Sequence, residues 1–300
     1  MGLRKRIRFE DDPAEFIRQA VVKFVEKSPY GRRKIDGGRF YDEPLVGFGA
    51  GDDPLFDAYK AIIGPFHLTP RKIFDAAFGE SRGPGPLSVI SWVLPISEDT
   101  RKSNRKEDKF PSLLWSHTRY FGEPFNDRLR KHVVSLLERK GCKAVAPANS
   151  PLFARMHAPS GGITSNWSER HAAYVCGLGT FGLCDGFITP KGKAVRLGSV
   201  IVDLSLPPSG RPYADHRENC LFYFNGTCKA CASRCPGGAI TEEGHDKERC
   251  FAHMREKISP AKANEYGVKI TGCGLCQTKV PCEFEIPKAI QKERAKATKD

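Results

Sequence analysis

The sequence predicts an α/β (α+β) domain over residues 1–214 followed by a small cysteine-rich domain over residues 215–300. Three observations carry this. The stretch SVISWVLPI at 88–96 is apolar and rich in β-branched residues, the pattern of a strand buried on both faces. Segments with apolar residues at helical spacing lie on both sides of it. Beyond about Asp215 the chain turns to cysteine, glycine and short runs, and eight of its eleven cysteines fall between Cys220 and Cys282.

The first helix starts at Asp12, a good N-cap, with Pro13 at the first helical position and Glu15 completing a capping-box-like start. Phe16, Ile17, Ala20, Val21, Phe24 and Val25 then recur at helical spacing. Residues 30–86 are rich in Gly and Pro and yield no assigned element. After the strand at 88–96, the basic run RKSNRKEDK (101–109) reads as a solvated loop. EPFNDRLRKHVVSLLERKG (123–141) is a helix with Leu129, Val133, Leu136 and Leu137 on one face and Gly141 as its stop. KAVAP (143–147) is a short second strand, which makes a strand–helix–strand unit. SERHAAYVC (168–176) is a short helix ended by Gly177, and 186–204 reads as a hairpin turning near Lys191-Gly192. The last thirteen residues are charged and read as a frayed tail.

With 40% hydrophobic residues the 300-residue chain can build a core. Its start, MGLRKRIRFEDDPAEF, has no apolar run and no twin-arginine pair, so neither a signal peptide nor export is expected. No 18-residue apolar stretch exists, so no membrane span is expected and the cytoplasm is the expected compartment. Thiols stay reduced there, which argues against disulfides. The formal charge of +13 fits nucleic acid, an acidic partner or plain solubility.

The cysteines carry the strongest signal. In CKACASRCPGGAI (228–240), Cys228, Cys231, Cys235 and Pro236 match the last three cysteines and the proline of the bacterial 4Fe–4S run C-x2-C-x2-C-x3-C-P. Cys250, Cys273 and Cys276 follow. In a ferredoxin-like two-cluster domain Cys235, Cys250, Cys273 and Cys276 form one complete ligand set. The other set has Cys228 and Cys231, but Asn225 and Val280 stand where its two remaining ligands belong. Cys220 lies five residues before Asn225 and Cys282 two after Val280, so these two cysteines are expected to fill the vacancies. One zinc ion would need four ligands around one point, which leaves eight cysteines and the C-x3-C-P run unexplained. Phe222, Tyr223 and Phe224 read as packing around the cluster.

The order SERHAAYVCGLGTFGLCDGFITPKGKAVRLGSVIVDL, then the cluster cysteines, then GCGLCQ, resembles the epoxyqueuosine reductases and, more distantly, the reductive dehalogenases. HTRYFGEPFNDRLRK also looks like the start of a helix in that family. The resemblance covers about residues 85–285 and leaves 1–85 as a divergent extension. It implies a cobalamin-binding first domain and two 4Fe–4S clusters that pass electrons to cobalt, which then reduces a small molecule. It places Ser168, Gly177, Leu178, Gly179, Thr180, Phe181, Gly182, Gly198 and Ser199 against the corrin. It also implies a flavodoxin- or ferredoxin-class redox partner, and the clusters imply an oxygen-poor cell. GLGTFG also fits the dinucleotide pattern GxGxxG, but its glycines follow a helix where that pattern follows a strand.

Two departures bear on substrate. The queuosine enzymes carry a proton-donating aspartate six residues before the glutamate of their ER pair; counting back from Glu169 gives Ile163, and no acid lies between 158 and 168. Those enzymes also carry a helical tRNA-reading extension, whereas eighteen residues follow Cys282. A tRNA substrate is therefore disfavoured. Tyr174 and Asn166 are the candidate catalytic residues, Tyr174 because dehalogenases use a tyrosine; Ser168 and His171 are further polar candidates. Cys142, Cys176 and Cys184 read as small buried apolar residues. The alternative function is an electron-transfer protein, or a corrinoid-reducing activator, with no substrate of its own.

Overall fold

The computed structural model describes residues 7–79, 85–159 and 161–297. Residues 1–6, on which part of the leader reading rests, 80–84 within the unassigned stretch, and the last three of the tail lie outside them. At the centre is a four-stranded antiparallel sheet in the order β1 (Leu45–Ala50), β2 (Ser88–Pro95), β8 (Val195–Val202), β3 (Ala144–Val145). Every residue of β2 is buried. Ile90, Trp92 and Leu94 face a core built with α1 (Pro13–Lys27) and α5 (Leu113–Glu138). Val89 and Val93 face a second core built with α2 (Leu55–Ile62), α3 (Pro70–Phe78) and α6 (Glu169–Val175). The continuous apolar run in the sequence reflects this double cover, each fully buried side chain contributing about 1.5–3 kcal/mol.

The N-terminal helix forms as its capping residues dictate, with the Asp12 carboxylate accepting from the Glu15 N–H. Other expectations are corrected. The helix read from 123 begins ten residues earlier, at Leu113, and carries Pro124 inside it. The strand–helix–strand unit does not close on itself, because β8 inserts between β2 and β3 and pairs antiparallel with both. The turn near Lys191-Gly192 exists, through a bridge between Thr189 and Gly192. Its arms, however, separate: β7 (Phe187–Ile188) pairs back with β6 (Thr180–Phe181), and β8 joins the large sheet. Residues 101–109 are not a free loop, since α4 (Glu98–Arg105) occupies the first half. The tail is also helical over α11 (Lys288–Ala297), pinned by the buried Ile290 and by Arg294, which donates to Glu218 and Asn219.

The unassigned stretch 30–86 supplies β1, α2 and α3. Strand β1 reads LVGFGA, and its glycines answer to close packing. A Cβ at Gly47 would stand 2.5 Å from the Cys176 carbonyl oxygen, and one at Gly49 2.8 Å from Val175. Helix α6 thus presses on β1 more closely than any side chain permits.

Two short hairpins, β4 (Arg155–His157) with β5 (Ile163–Ser165) and β6 with β7, lie between α5 and β8. The cysteine-rich region then runs through α7 (Leu221–Asn225), α8 (Ala230–Ser233), the hairpin β9 (Ile240–Thr241)–β10 (Gly244–His245), α9 (Lys247–His253) and α10 (Ser259–Lys262). It is stitched to the sheet domain by polar contacts. Asn104 donates to Thr278 (3.1 Å), Arg105 to the buried Glu283 carboxylate (2.9 Å), and the Lys193 and Ala194 N–H groups to the Cys282 and Glu283 carbonyls.

Candidate metal centre

Seven of the eight cysteines fall into two groups, and Cys276 stands beside Cys273 and Cys184. Cys220 sits at the N-cap of α7, Cys231 on α8 and Cys228 in the turn before it, while Cys282 follows the 275–277 turn. These four line one cavity, together with Leu183, Ile188, Lys193, Val280, Pro281 and Pro287. Val280, at an expected ligand position, faces this same cavity with an apolar side chain. Asn225, at the other, is exposed and its side-chain oxygen accepts from the Thr227 N–H and hydroxyl. The two displaced cysteines therefore reach the space that the substituted positions do not serve.

Cys235, Cys250 and Cys273 form the second group. Burial pushes the Cys273 thiol up to about 11, helped by Cys235 and Cys250 and opposed by Arg234. The Ala239 N–H donates to the Cys235 sulfur at 3.3 Å. Cys276 neighbours Cys273, and its thiol is raised by hydrogen bonding to Cys184 and then by burial. All eleven thiols are free. Among the described residues, no three His, Cys, Asp or Glu side chains close around the position of one metal ion.

Cys184 is the residue that sequence reasoning missed. It is buried as expected, but among sulfurs: it stands within hydrogen-bonding reach of Cys231 in one group and Cys276 in the other. The Lys193 ammonium donates to its sulfur at 3.2 Å. Hydrogen bonds from Cys231 and Cys276, with the lysine charge, hold the Cys184 thiol well below the usual range. No local spacing marks it, because its partners lie 47 and 92 residues away (231 − 184 and 276 − 184).

The residues expected at the corrin are mostly engaged with protein. Ser168 shares a hydrogen bond with His171 Nδ1 (2.7 Å), and burial lowers the His171 pKa to about 3. Ser199 accepts from the Trp167 indole (3.0 Å) and donates to Glu169 (2.6 Å), which Arg130 also holds at 3.3 Å. Burial raises the Glu169 carboxyl above its usual range, against the pull of Arg130. The Thr180 hydroxyl accepts from the Asn219 N–H. A Cβ at Gly179 would overlap the Ile188 carbonyl, and one at Gly198 would stand 2.5 Å from the Trp92 ring. Phe181 packs on Phe187 and His171, and Gly182 donates its N–H to the Gly186 carbonyl. Gly177 (φ +70°) and Leu178 line a cavity of about 570 Å³ with Pro44, Leu45, Val46 and Pro190, and with Glu15 and Arg18 at its polar side.

Of the catalytic candidates, the Asn166 side chain ties the backbone of the preceding loop, accepting from the Ala154 N–H (2.9 Å) and donating to the Leu152 carbonyl (2.7 Å). Tyr174 is half-buried beside Phe181, and burial raises its pKa, with Arg211 opposing. Ile163 lies on β5; the adjacent Gly162 N–H donates to Glu248 on α9 at 3.1 Å, which brings an acid from the cysteine-rich region to this hairpin.

No family model matches the sequence. It is 33% identical over 230 residues to an epoxyqueuosine reductase of Leadbetterella byssophila, covering 75% of this chain and 65% of the relative. It is 31% identical over 148 residues to that of Gloeobacter violaceus, covering 47% and 39%. Among solved structures, an epoxyqueuosine reductase superposes with a TM-score of 0.52 at 17% identity, over 90% of this chain and 66% of the other. A reductive dehalogenase, described for B12-dependent dehalogenation, gives 0.51 at 13%, over 84% and 31%. Another similar structure is an epoxyqueuosine reductase with a tRNA stem loop (TM-score 0.51, 18% identity, 90% and 66%). The fold is thus the one that epoxyqueuosine reductases and reductive dehalogenases share. The chain is a homologue of epoxyqueuosine reductases over the matched stretch, and it spans just under two thirds of the length of the Leadbetterella relative.

Proposed function

We propose that this chain is an iron–sulfur oxidoreductase that carries electrons through two 4Fe–4S clusters. The observation that supports it best is the cavity walled by Cys220, Cys228, Cys231 and Cys282, next to the Cys235–Cys250–Cys273 group. The residues fit two clusters: eight thiols in two sets, with Cys276 completing the second. Such clusters, when bound, supply one-electron transfer at potentials set by charge, hydrogen bonds to sulfur and solvent exposure. The protein's part follows from its own groups. Leu183, Ile188, Val280, Pro281 and Pro287 exclude water from the first set. The Ala239 N–H stabilises negative charge on Cys235.

A cobalamin-dependent reductase acting on a small molecule is the finer reading, favoured by the family and by the cavity beside Gly177 and Leu178. The remaining corrin-segment residues do not form a cradle as they stand, because their hydroxyls are engaged and their Cβ positions filled. Of the two catalytic candidates, Tyr174 keeps a hydroxyl that could serve as a proton donor, whereas the Asn166 amide is committed to backbone. A small molecule is the proposed substrate class over tRNA, since Ile163 stands where the queuosine enzymes carry their acid. Cytoplasmic location and a flavodoxin- or ferredoxin-class donor belong to the same proposal; among the described residues no helix is long and apolar enough to cross a membrane.

The test is anaerobic purification, then titration with cob(II)alamin followed by visible absorption and electron paramagnetic resonance. Two reducible clusters with a bound, perturbed cob(II)alamin signal support the reductase. Two clusters with no cobalamin bound leave an electron carrier, and no clusters at all overturn both.

A further inference from the structure

We propose that Lys193 is a fixed positive charge that raises the reduction potential of the cluster held by Cys220, Cys228, Cys231 and Cys282 above that of its neighbour. This rests on the two-cluster reading. Lys193 is 3% exposed and lines the cavity between those four cysteines. Its ammonium donates to the Cys184 sulfur at 3.2 Å, and among the described residues no carboxylate pairs with it. Its backbone is pinned, because its N–H donates to the Cys282 carbonyl at 2.9 Å.

A buried ammonium without a carboxylate is costly unless another anion answers it. The groups that answer it are sulfurs. A cluster with four thiolates carries net negative charge, which grows by one electron on reduction, so a cation lining its cavity favours the reduced state.

Of the basic groups near the second set, Arg234 and His245 each face a carboxylate. Arg234, near Cys273, spends its guanidinium on Asp108 (2.6 Å) and on the Glu107 and Thr278 carbonyls. His245, near Cys250, faces Asp185 at 3.4 Å. Both cations bring their own anion, and Lys193 does not. When both clusters are bound, the set lined by Lys193 would be the better electron acceptor of the two; its cavity is also lined by Leu183 and Ile188, which run on from the GLGTFG segment. Cys184 is a positioning residue that holds the ammonium, not a ninth ligand.

The experiment is a potentiometric titration of the intact protein, read by electron paramagnetic resonance, for wild type, Lys193→Met, Lys193→Arg and Cys184→Ala. Iron and sulfide are counted on each sample. The signal that survives in Cys282→Ser identifies the second cluster. The expected result is a tenfold or larger fall in the reduced-to-oxidised ratio at fixed potential in Lys193→Met, about 59 mV for a one-electron couple, at the first cluster and a smaller shift at the second. Lys193→Arg should recover most of it, and Cys184→Ala should show a smaller loss with the iron count intact. Unchanged potentials, or equal shifts of both clusters, overturn the proposal. Should Lys193→Met not assemble, wild-type protein labelled with ε-15N-lysine serves instead: a nitrogen coupling to the first reduced cluster supports the proposal and its absence overturns it. Fewer than two clusters in wild type overturns the two-cluster reading itself, whatever Lys193 does.

Discussion

The sheet domain and the cysteine-rich region solve the same problem by different means. The sheet domain buries long elements: all eight residues of β2, and α5 of 26 residues whose Trp115, Phe125, Leu129, Val133 and Leu137 enter one core. Some polar groups are paired inside it, as where the Trp92 indole donates to Asn126 (2.9 Å) and Asn126 donates to the Leu197 carbonyl (2.9 Å). The cysteine-rich region has helices of five and four residues at 221–225 and 230–233, one helical stretch over 247–262 interrupted by a π segment, and a small core in which half the buried members are cysteines. Helices that short do not stand alone. The contrast teaches that one half is specified by apolar packing and the other by whatever binds its thiols.

Removing the metal should break the comparison most visibly. After chelation under reducing conditions, hydrogen exchange should lose protection across residues 215–286 while β2 and β8 stay protected; equal protection in both regions would contradict the contrast. Next in size is the sheet core. Trp92→Ala removes one of three fully buried indoles and leaves the Asn126 side-chain oxygen without its donor, and should cost about 3–5 kcal/mol in a denaturant melt read on the sheet domain. Its iron content should not change.

A third effect is pH dependence confined to the second core. His67, 2% exposed, stacks on Trp167, and burial lowers its pKa to about 4. The unfolded chain binds that proton below about 6.5, so the contribution is complete above that pH and is lost as pH falls toward 4. His67 should contribute about 2 kcal/mol of the loss between pH 7 and pH 5, and His171 a similar amount, so His67→Phe should remove about half of the slope. A variant with the same pH slope as wild type would exclude His67 as a source. The smallest effect lies at the seam. Asn104→Ala removes the hydrogen bond to Thr278 and the one to the Ser112 N–H, and should cost about 1–3 kcal/mol. Limited proteolysis should then cut first near residues 105–112; an unchanged pattern would mean that the remaining seam contacts, Arg105 with Glu283 among them, suffice to hold it.

What the sequence revealed follows the same division. The strand at 88–96, the helix capped by Asp12 and the cysteine spacing are local patterns, and each is present where expected. Strand β1 escaped because Gly47 and Gly49 erase its β signal, and they are glycine only because α6 presses on it. The partners of β7 and β8 escaped because strand pairing is non-local: the turn at 189–192 is correct, yet neither arm pairs with the other. Cys184 and Lys193 carried no motif, and only folding brings them to Cys231 and Cys276. Asn225 and Val280 were legible as vacancies, but the fit of Cys220 and Cys282 to one cavity needed the structure.

The most direct measurement is iron and acid-labile sulfide per chain, with the reduced-state electron paramagnetic resonance spectrum, for anaerobically purified wild type, Cys220→Ser, Cys282→Ser and Cys184→Ser. The account predicts about eight irons in wild type and in Cys184→Ser, and about four in each of the other two. About four irons in wild type, unchanged by Cys220→Ser and Cys282→Ser, would contradict it.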